Sequence, residues 1–238
     1  MMSSRIRTLL LISIGLLGHF FLSAQPFAVG HLATTYTDAG RSNRSVPVEI
    51  YYPADIAGDG VPVAADSGAR YPVLVFGHGF VMSWDAYANI WNALVPAGYI
   101  IAFPRTETGL SPQHAELGRD LSFVRNALLS EGADPGSLFY QRIAPVSAVM
   151  GHSMGGGASF LAAAQDTGFT AMVNFAAAET SPSAIAAASL IGGSLAPVRR
   201  GERLCHPGRL QPTADVRFAR FRLQDAAGHP RRQSLPNG

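Results

Sequence analysis

Apolar residues along this chain fall into two rhythms. Val46, Val48, Ile50 and Tyr52 alternate with other residues, Glu49 among them, which predicts a strand over 46–52 with one buried face. Residues 32–36 predict a neighbouring strand. Residues 73–76, 99–103 and 144–150 are apolar almost throughout, the pattern of strands buried on both faces. Between these runs the period changes. Tyr87, Ile90, Trp91 and Leu94 have helical spacing, so a helix is expected over 84–95, with Ser83 as its N-cap and Pro96-Ala97-Gly98 as its stop. Leu117, Leu121, Val124 and Leu128 form one stripe, which predicts an amphipathic helix over 112–130. A small-residue helix over 157–165 and a strand over 171–177 follow. Residues 53–70, rich in Gly, Ala and Asp, read as a loop. Strands alternating with helices predict an α/β fold: a mostly parallel central sheet with helices on both faces and an antiparallel leading edge.

At the junction of the 144–150 strand and the helix that follows stands Gly151-His152-Ser153-Met154-Gly155-Gly156. A serine hydroxyl is a weak nucleophile and must stand clear of the backbone for a base to reach it. In a G-x-S-x-G turn the glycines two before and two after the serine remove side chains that would clash in so sharp a bend. Ser153 is therefore the candidate nucleophile. Acyl transfer also needs donors for the developing oxyanion. The backbone N–H of Met154 opens the helix and is one. The other is expected from the loop after an earlier strand, here Gly77-His78-Gly79-Phe80, with the N–H of Phe80 as the candidate. His78 reads as a local hydrogen-bonding residue. His152 reads either as pocket lining or as a packed histidine.

Composition narrows the classes. With 47% hydrophobic and 14% charged residues, the 238-residue chain is neither disordered nor a nucleic-acid-coating protein. Arg5 and Arg7, the 14-residue apolar stretch 9–22 and the small pair Ser23-Ala24 read as a signal peptide over 1–24. That stretch is shorter than the roughly 20 residues a membrane span needs. A secreted or periplasmic protein without a stable membrane span is expected, as a monomer. Cys205 is the single cysteine, and no metal-ligand spacing is found.

The two glycine motifs, with the Gly98-Tyr99-Ile100-Ile101-Ala102 strand entry between them, resemble α/β-hydrolases. The nearest branch is similar to bacterial cutinases and polyester (PET) hydrolases, with the chlorophyllase and dienelactone-hydrolase-like enzymes. The resemblance covers roughly residues 28–188. It implies an α/β-hydrolase domain that hydrolyses carboxylic esters, small or polymeric, through an acyl-enzyme on Ser153, with no cofactor. Cutinase-like enzymes usually carry a tryptophan after the next strand; here stands Glu179-Thr180-Ser181-Pro182. Glu179 is a pocket-lining candidate and a second-choice acid.

The same resemblance implies an Asp after a further apolar strand and a His near the C-terminus. Residues 189–238 meet neither expectation. Glu202, Asp215, Asp225, His206 and His229 fall in no convincing strand, so the domain is expected to lack its last strand and helix. Charge changes there too: nine Arg face thirteen acids over 1–198, but nine Arg face three acids over 199–238, and the chain has no Lys. Read one nucleotide forward, the codons from Arg200 to Gly238 permit an apolar strand ending in Asp, a further Leu-Arg-Val-Ile strand and a Gly-Gly-Asn-His-Cys loop. The Asp would arise at the Arg203/Leu204 junction and the His at the Ser234/Leu235 junction. The tail is thus expected to be an out-of-frame, poorly ordered segment, and the esterase to be impaired. The alternative is a non-catalytic hydrolase-fold protein that binds anionic surfaces through the basic tail.

Overall fold

The computed structural model describes residues 26–65 and 68–191. The signal segment and the tail beyond Ile191, with the strand and helix expected to be missing, lie outside the described residues. In chain order the elements are β1 (Ala28–Asp38), β2 (Arg44–Ala54), β3 (Gly58–Asp59), β4 (Tyr71–Gly77), α1 (Ala88–Leu94), β5 (Ile100–Pro104), α2 (His114–Glu131), β6 (Ile143–His152), α3 (Met154–Gln165), β7 (Ala171–Phe175) and α4 (Ala184–Leu190). The strands form one seven-stranded sheet in the order β3-β1-β2-β5-β4-β6-β7. β5, β4, β6 and β7 run parallel. The β1–β2 hairpin joins them antiparallel through β2 and β5, the leading edge that the strand pattern predicts.

The apolar strands are apolar because both of their faces are covered. Val73 and Val75 of β4, Ile100 and Ala102 of β5 and Val149 of β6 point into one core cluster. Leu117, Leu121, Val124 and Leu128 of α2 close that cluster together with Met154, Ala158 and Ala162 of α3, and the α2 stripe is fully buried. Each of those four side chains contributes about 2 kcal/mol on leaving water. The alternate residues Leu74, Phe76, Ile101, Phe103, Ala148 and Met150 point the other way, against Tyr87, Trp91 and Val95 around α1. Tyr51 stacks on Trp91 with ring centroids 4.1 Å apart.

Local expectations differ from the structure in three places. The 84–95 helix opens as a 3-10 turn, Trp84–Tyr87, and Ser83 makes no side-chain cap bond. The 53–70 loop carries the two-residue β3, paired with β1 at Gly30 and His31. Finally, α4 is capped by Ser183, whose hydroxyl accepts the Ala186 N–H. Ile191, the residue after α4, is buried.

Glu49 and Asp120 are buried charges that periodicity alone does not foresee. Asp120, on the core side of α2, accepts from Arg44 Nη2 at 2.8 Å and from the Thr106 hydroxyl at 2.5 Å, and forms an ion pair with Arg41, whose Nη2 lies 2.6 Å away. Glu107 accepts from Arg44 Nη2 at 2.7 Å and from the Gln113 N–H at 2.6 Å. These bonds tie the β5–α2 loop to the β1–β2 turn. Among the described residues, no helix is long and apolar enough to cross a membrane.

Candidate active site

The four parallel strands share one structural habit. Just beyond the end of each stands a non-glycine residue in the left-handed region: Val81 after β4, Glu107 after β5, Ser153 after β6 and Ala176 after β7. Backbone of this kind costs on the order of 1–3 kcal/mol per residue and concentrates at functional sites. All four lie at the carboxyl ends of the strands, where ligands bind in open α/β sheets.

Ser153 has φ 52° and ψ −117° and precedes the first turn of α3. Its backbone is fixed on every side. The N–H donates to Phe175 O at 3.0 Å, and the carbonyl accepts from Gly157 N at 3.0 Å and Ala178 N at 2.9 Å. The half-buried side chain is left free: among the described residues its hydroxyl has no hydrogen-bond partner. The positive end of α3 lies beneath it.

Glycine is needed here for close approach. A Cβ on Gly155 would stand 2.1 Å from the Gly77 carbonyl oxygen and 2.6 Å from that of His78, so the end of β4 rests directly on the first turn of α3. A Cβ on Gly157 would meet the Ala178 oxygen at 2.4 Å, where the chain leaving β7 crosses the same turn. The elbow is thus wedged between the β4 and β7 exits.

That wedge brings the 78–80 loop to the elbow. His78 is buried, with Nδ1 at 2.9 Å from Gly79 O and Nε2 at 2.7 Å from Thr106 O, the local role its position suggested. The chain then turns over Phe80 and Val81, closed by Met82 N donating to Gly79 O at 3.1 Å. The N–H groups of Phe80 and Met154 have no acceptor among the described residues. The Phe80 side chain is half exposed, and the Met154 side chain is buried under α3.

Tyr87 joins the two halves, where its helical spacing announced only a packing role. Its hydroxyl accepts the buried Gly79 N–H at 2.8 Å and lies 3.1 Å from His152 Nδ1 and 3.2 Å from Met82 Sδ. Burial pushes this phenol's pKa above the ordinary value, so it stays protonated. Having accepted from Gly79, it has one proton to offer, which Met82 Sδ and His152 Nδ1 share. A tyrosine eight residues beyond Gly79, at the end of the Trp84–Tyr87 turn, was the available signal. Glu179 is exposed. Its carboxylate accepts from the Ser183 hydroxyl and from Ile185 N, bonds that hold its pKa below the usual carboxylate value and fasten it to the start of α4.

None of the described histidines is bonded to Ser153. His31 faces Glu49 and Asp59, His78 faces two carbonyls, His114 accepts from Ser181 N, and His152 faces Tyr87. Among the described residues no group of three or more His, Cys, Asp or Glu could hold a metal. A cleft of about 280 Å³ opens beside the 78–80 loop, lined in part by His78, Val81, Met82, Trp84, Pro104 and Arg105. Ser153 does not line it.

This sheet, with its strained serine elbow at the carboxyl end of β6, defines an α/β-hydrolase. Within that class, the chlorophyllase family model matches residues 61–180, just over half of the chain, and the chain belongs to that family. Among solved structures, a ferulic acid esterase from Streptomyces cinnamoneus is similar at 19% identity. That match covers 67% of this chain and 63% of the other, with a TM-score of 0.49. The chain therefore spans less than two thirds of that esterase's length. No curated protein matches.

Proposed function

We propose that this chain is an esterase that acts on carboxylic esters through an acyl-enzyme on Ser153. The observation that carries this is the Ser153 backbone, held at φ 52° by three hydrogen bonds while its hydroxyl has no partner among the described residues. In the first step Ser153 Oγ bonds to the acyl carbon, its proton passes to a base, and the carbonyl oxygen becomes an oxyanion. The N–H groups of Phe80 and Met154 receive that charge, aided by the α3 dipole. Collapse expels the alcohol, and water then releases the acid. No cofactor is needed. Family membership and the packing of the 78–80 loop on the elbow support this assignment.

The same reading makes this chain an impaired member. Acyl transfer needs an acceptor for the serine proton, and no described histidine serves Ser153. Loss of a triad member costs several orders of magnitude in rate, so turnover through Ser153 is expected to be slow. We attribute the loss to the out-of-frame tail. Sequencing the DNA of codons 180–238 tests this, and a forward frame lacking the Asp or the His contradicts it. We further propose that residues 1–24 direct export, and that the substrate is a small or polymeric ester.

Hydrolysis of p-nitrophenyl butyrate by the wild type and by Ser153→Ala tests the esterase. A rate that falls to background in the variant supports it. Equal rates favour a non-catalytic protein on this scaffold.

A further inference from the structure

The cleft beside the 78–80 loop has largely apolar walls. Val81, Met82, Trp84 and Pro104 are apolar, and Arg105 supplies the one formal charge of the lining. The guanidinium is held in place. Its Nη1 donates to Glu49 Oε1 at 2.8 Å, and its Cζ lies over the Trp84 ring, 4.5 Å from the centroid. Trp84 is itself fixed, its Nε1 donating to the Tyr51 hydroxyl at 3.1 Å. Glu49 does not take the whole guanidinium, because its other oxygen faces His31 Nε2 at 2.7 Å. Nε and Nη2 of Arg105 are thus left without an acceptor among the described residues. Those groups form the fork that grips a carboxylate with two parallel bonds. Thr108 and Ser83, whose hydroxyl caps nothing, add two small donors.

We propose that this cleft is an anchoring subsite for a carboxylate borne on a short apolar or aryl stem, with Arg105 as its specificity-determining residue. A preformed cation on an apolar wall selects such a group over a neutral one, because its position was fixed before binding. Taken with the esterase reading, on which the substrate assignment rests, the preferred substrates are half-esters. Their free carboxylate seats on Arg105 while the ester carbonyl lies at Ser153. His78 connects the two sites: it lines the cleft, and the next residue, Gly79, packs against His152.

The test is a titration of the full chain with benzoate and with its neutral counterpart, methyl benzoate. It is followed by intrinsic fluorescence, since Trp84 is one of only two tryptophans. Benzoate is expected to bind about tenfold more tightly, and Arg105→Gln to abolish that preference with methyl benzoate binding unchanged. Equal binding of the two by the wild type, or a preference that survives Arg105→Gln, overturns the proposal. Should Arg105→Gln lose its near-UV spectrum, Val81→Phe replaces it. The larger ring at the exposed mouth weakens benzoate binding about tenfold, and undiminished binding overturns the subsite. Ser153→Ala keeps the benzoate preference if the subsite is separate from the nucleophile; loss of the preference contradicts that. Failure of the esterase reading appears only in p-nitrophenyl butyrate turnover, so the two outcomes are read apart.

Discussion

Replacing Gly155 by alanine adds one methyl group where the structure has no room. The new Cβ would stand 2.1 Å from Gly77 O, 2.2 Å from Gly77 C and 2.6 Å from His78 O. All three are backbone atoms at the end of a central strand, so no side chain can turn aside. Relief to an ordinary contact separates α3 from β4 by about 1 Å. Overpacking of this kind costs about 1–3 kcal/mol. The same displacement carries Ser153 and the Met154 N–H away from the Phe80 loop, and misplacement by 1 Å costs on the order of 100-fold in rate. Gly109→Ala is the matched control, because a Cβ there meets nothing within 4 Å. Urea unfolding gives the stability, and p-nitrophenyl butyrate turnover gives the rate. A Gly155→Ala variant within 0.5 kcal/mol of wild type, with unchanged turnover, refutes the packing that joins the loop to the elbow.

Tyr87→Phe orphans the buried Gly79 N–H and should cost about 1–3 kcal/mol in urea. It lowers kcat more than it raises KM, whereas a purely structural tyrosine would leave the kcat of the folded fraction unchanged. Asp120→Ala leaves Arg41 and Arg44 facing a vacated buried position and should cost about 3 kcal/mol, read from the urea midpoint. Glu179 has its pKa lowered in the folded chain, so its hold on α4 is complete above the ordinary carboxylate value and is lost as pH falls through the lowered one. Exchange of the Ile185 amide should therefore show more opening on acidification in wild type, and Glu179→Gln should remove that pH dependence.

Much of this arrangement could be read from residue order. The alternation of β2 and the uniform apolarity of β4, β5 and β6 announced which faces are covered, because burial on one or two faces leaves different periods. The α2 stripe was legible for the same reason. The elbow was legible because close approach leaves glycine no substitute at 151 and 155, where a Cβ would stand 2.3 Å from Gly155 O and 2.1 Å from Gly77 O. What stayed hidden depends on partners far away in sequence. Glu49 looked like a solvent-facing residue, yet it is buried between Arg105 and His31. Tyr87 fitted a helical stripe, and nothing local revealed that its hydroxyl meets Gly79 and His152. Ser83 had the chemistry of a cap, but the chain begins there as a 3-10 turn, which the side chain does not bridge.

The direct measurement is peptide mapping by mass spectrometry after exposure of the full chain to a fluorophosphonate. A serine at this elbow, beside the Phe80 and Met154 amide donors, should carry the adduct on Ser153 alone, slowly because the proposed loss of the tail histidine leaves it without its base, and Ser153→Ala should take up none. An unmodified Ser153 after prolonged exposure, or an adduct on another residue that persists in Ser153→Ala, contradicts its assignment as the nucleophile.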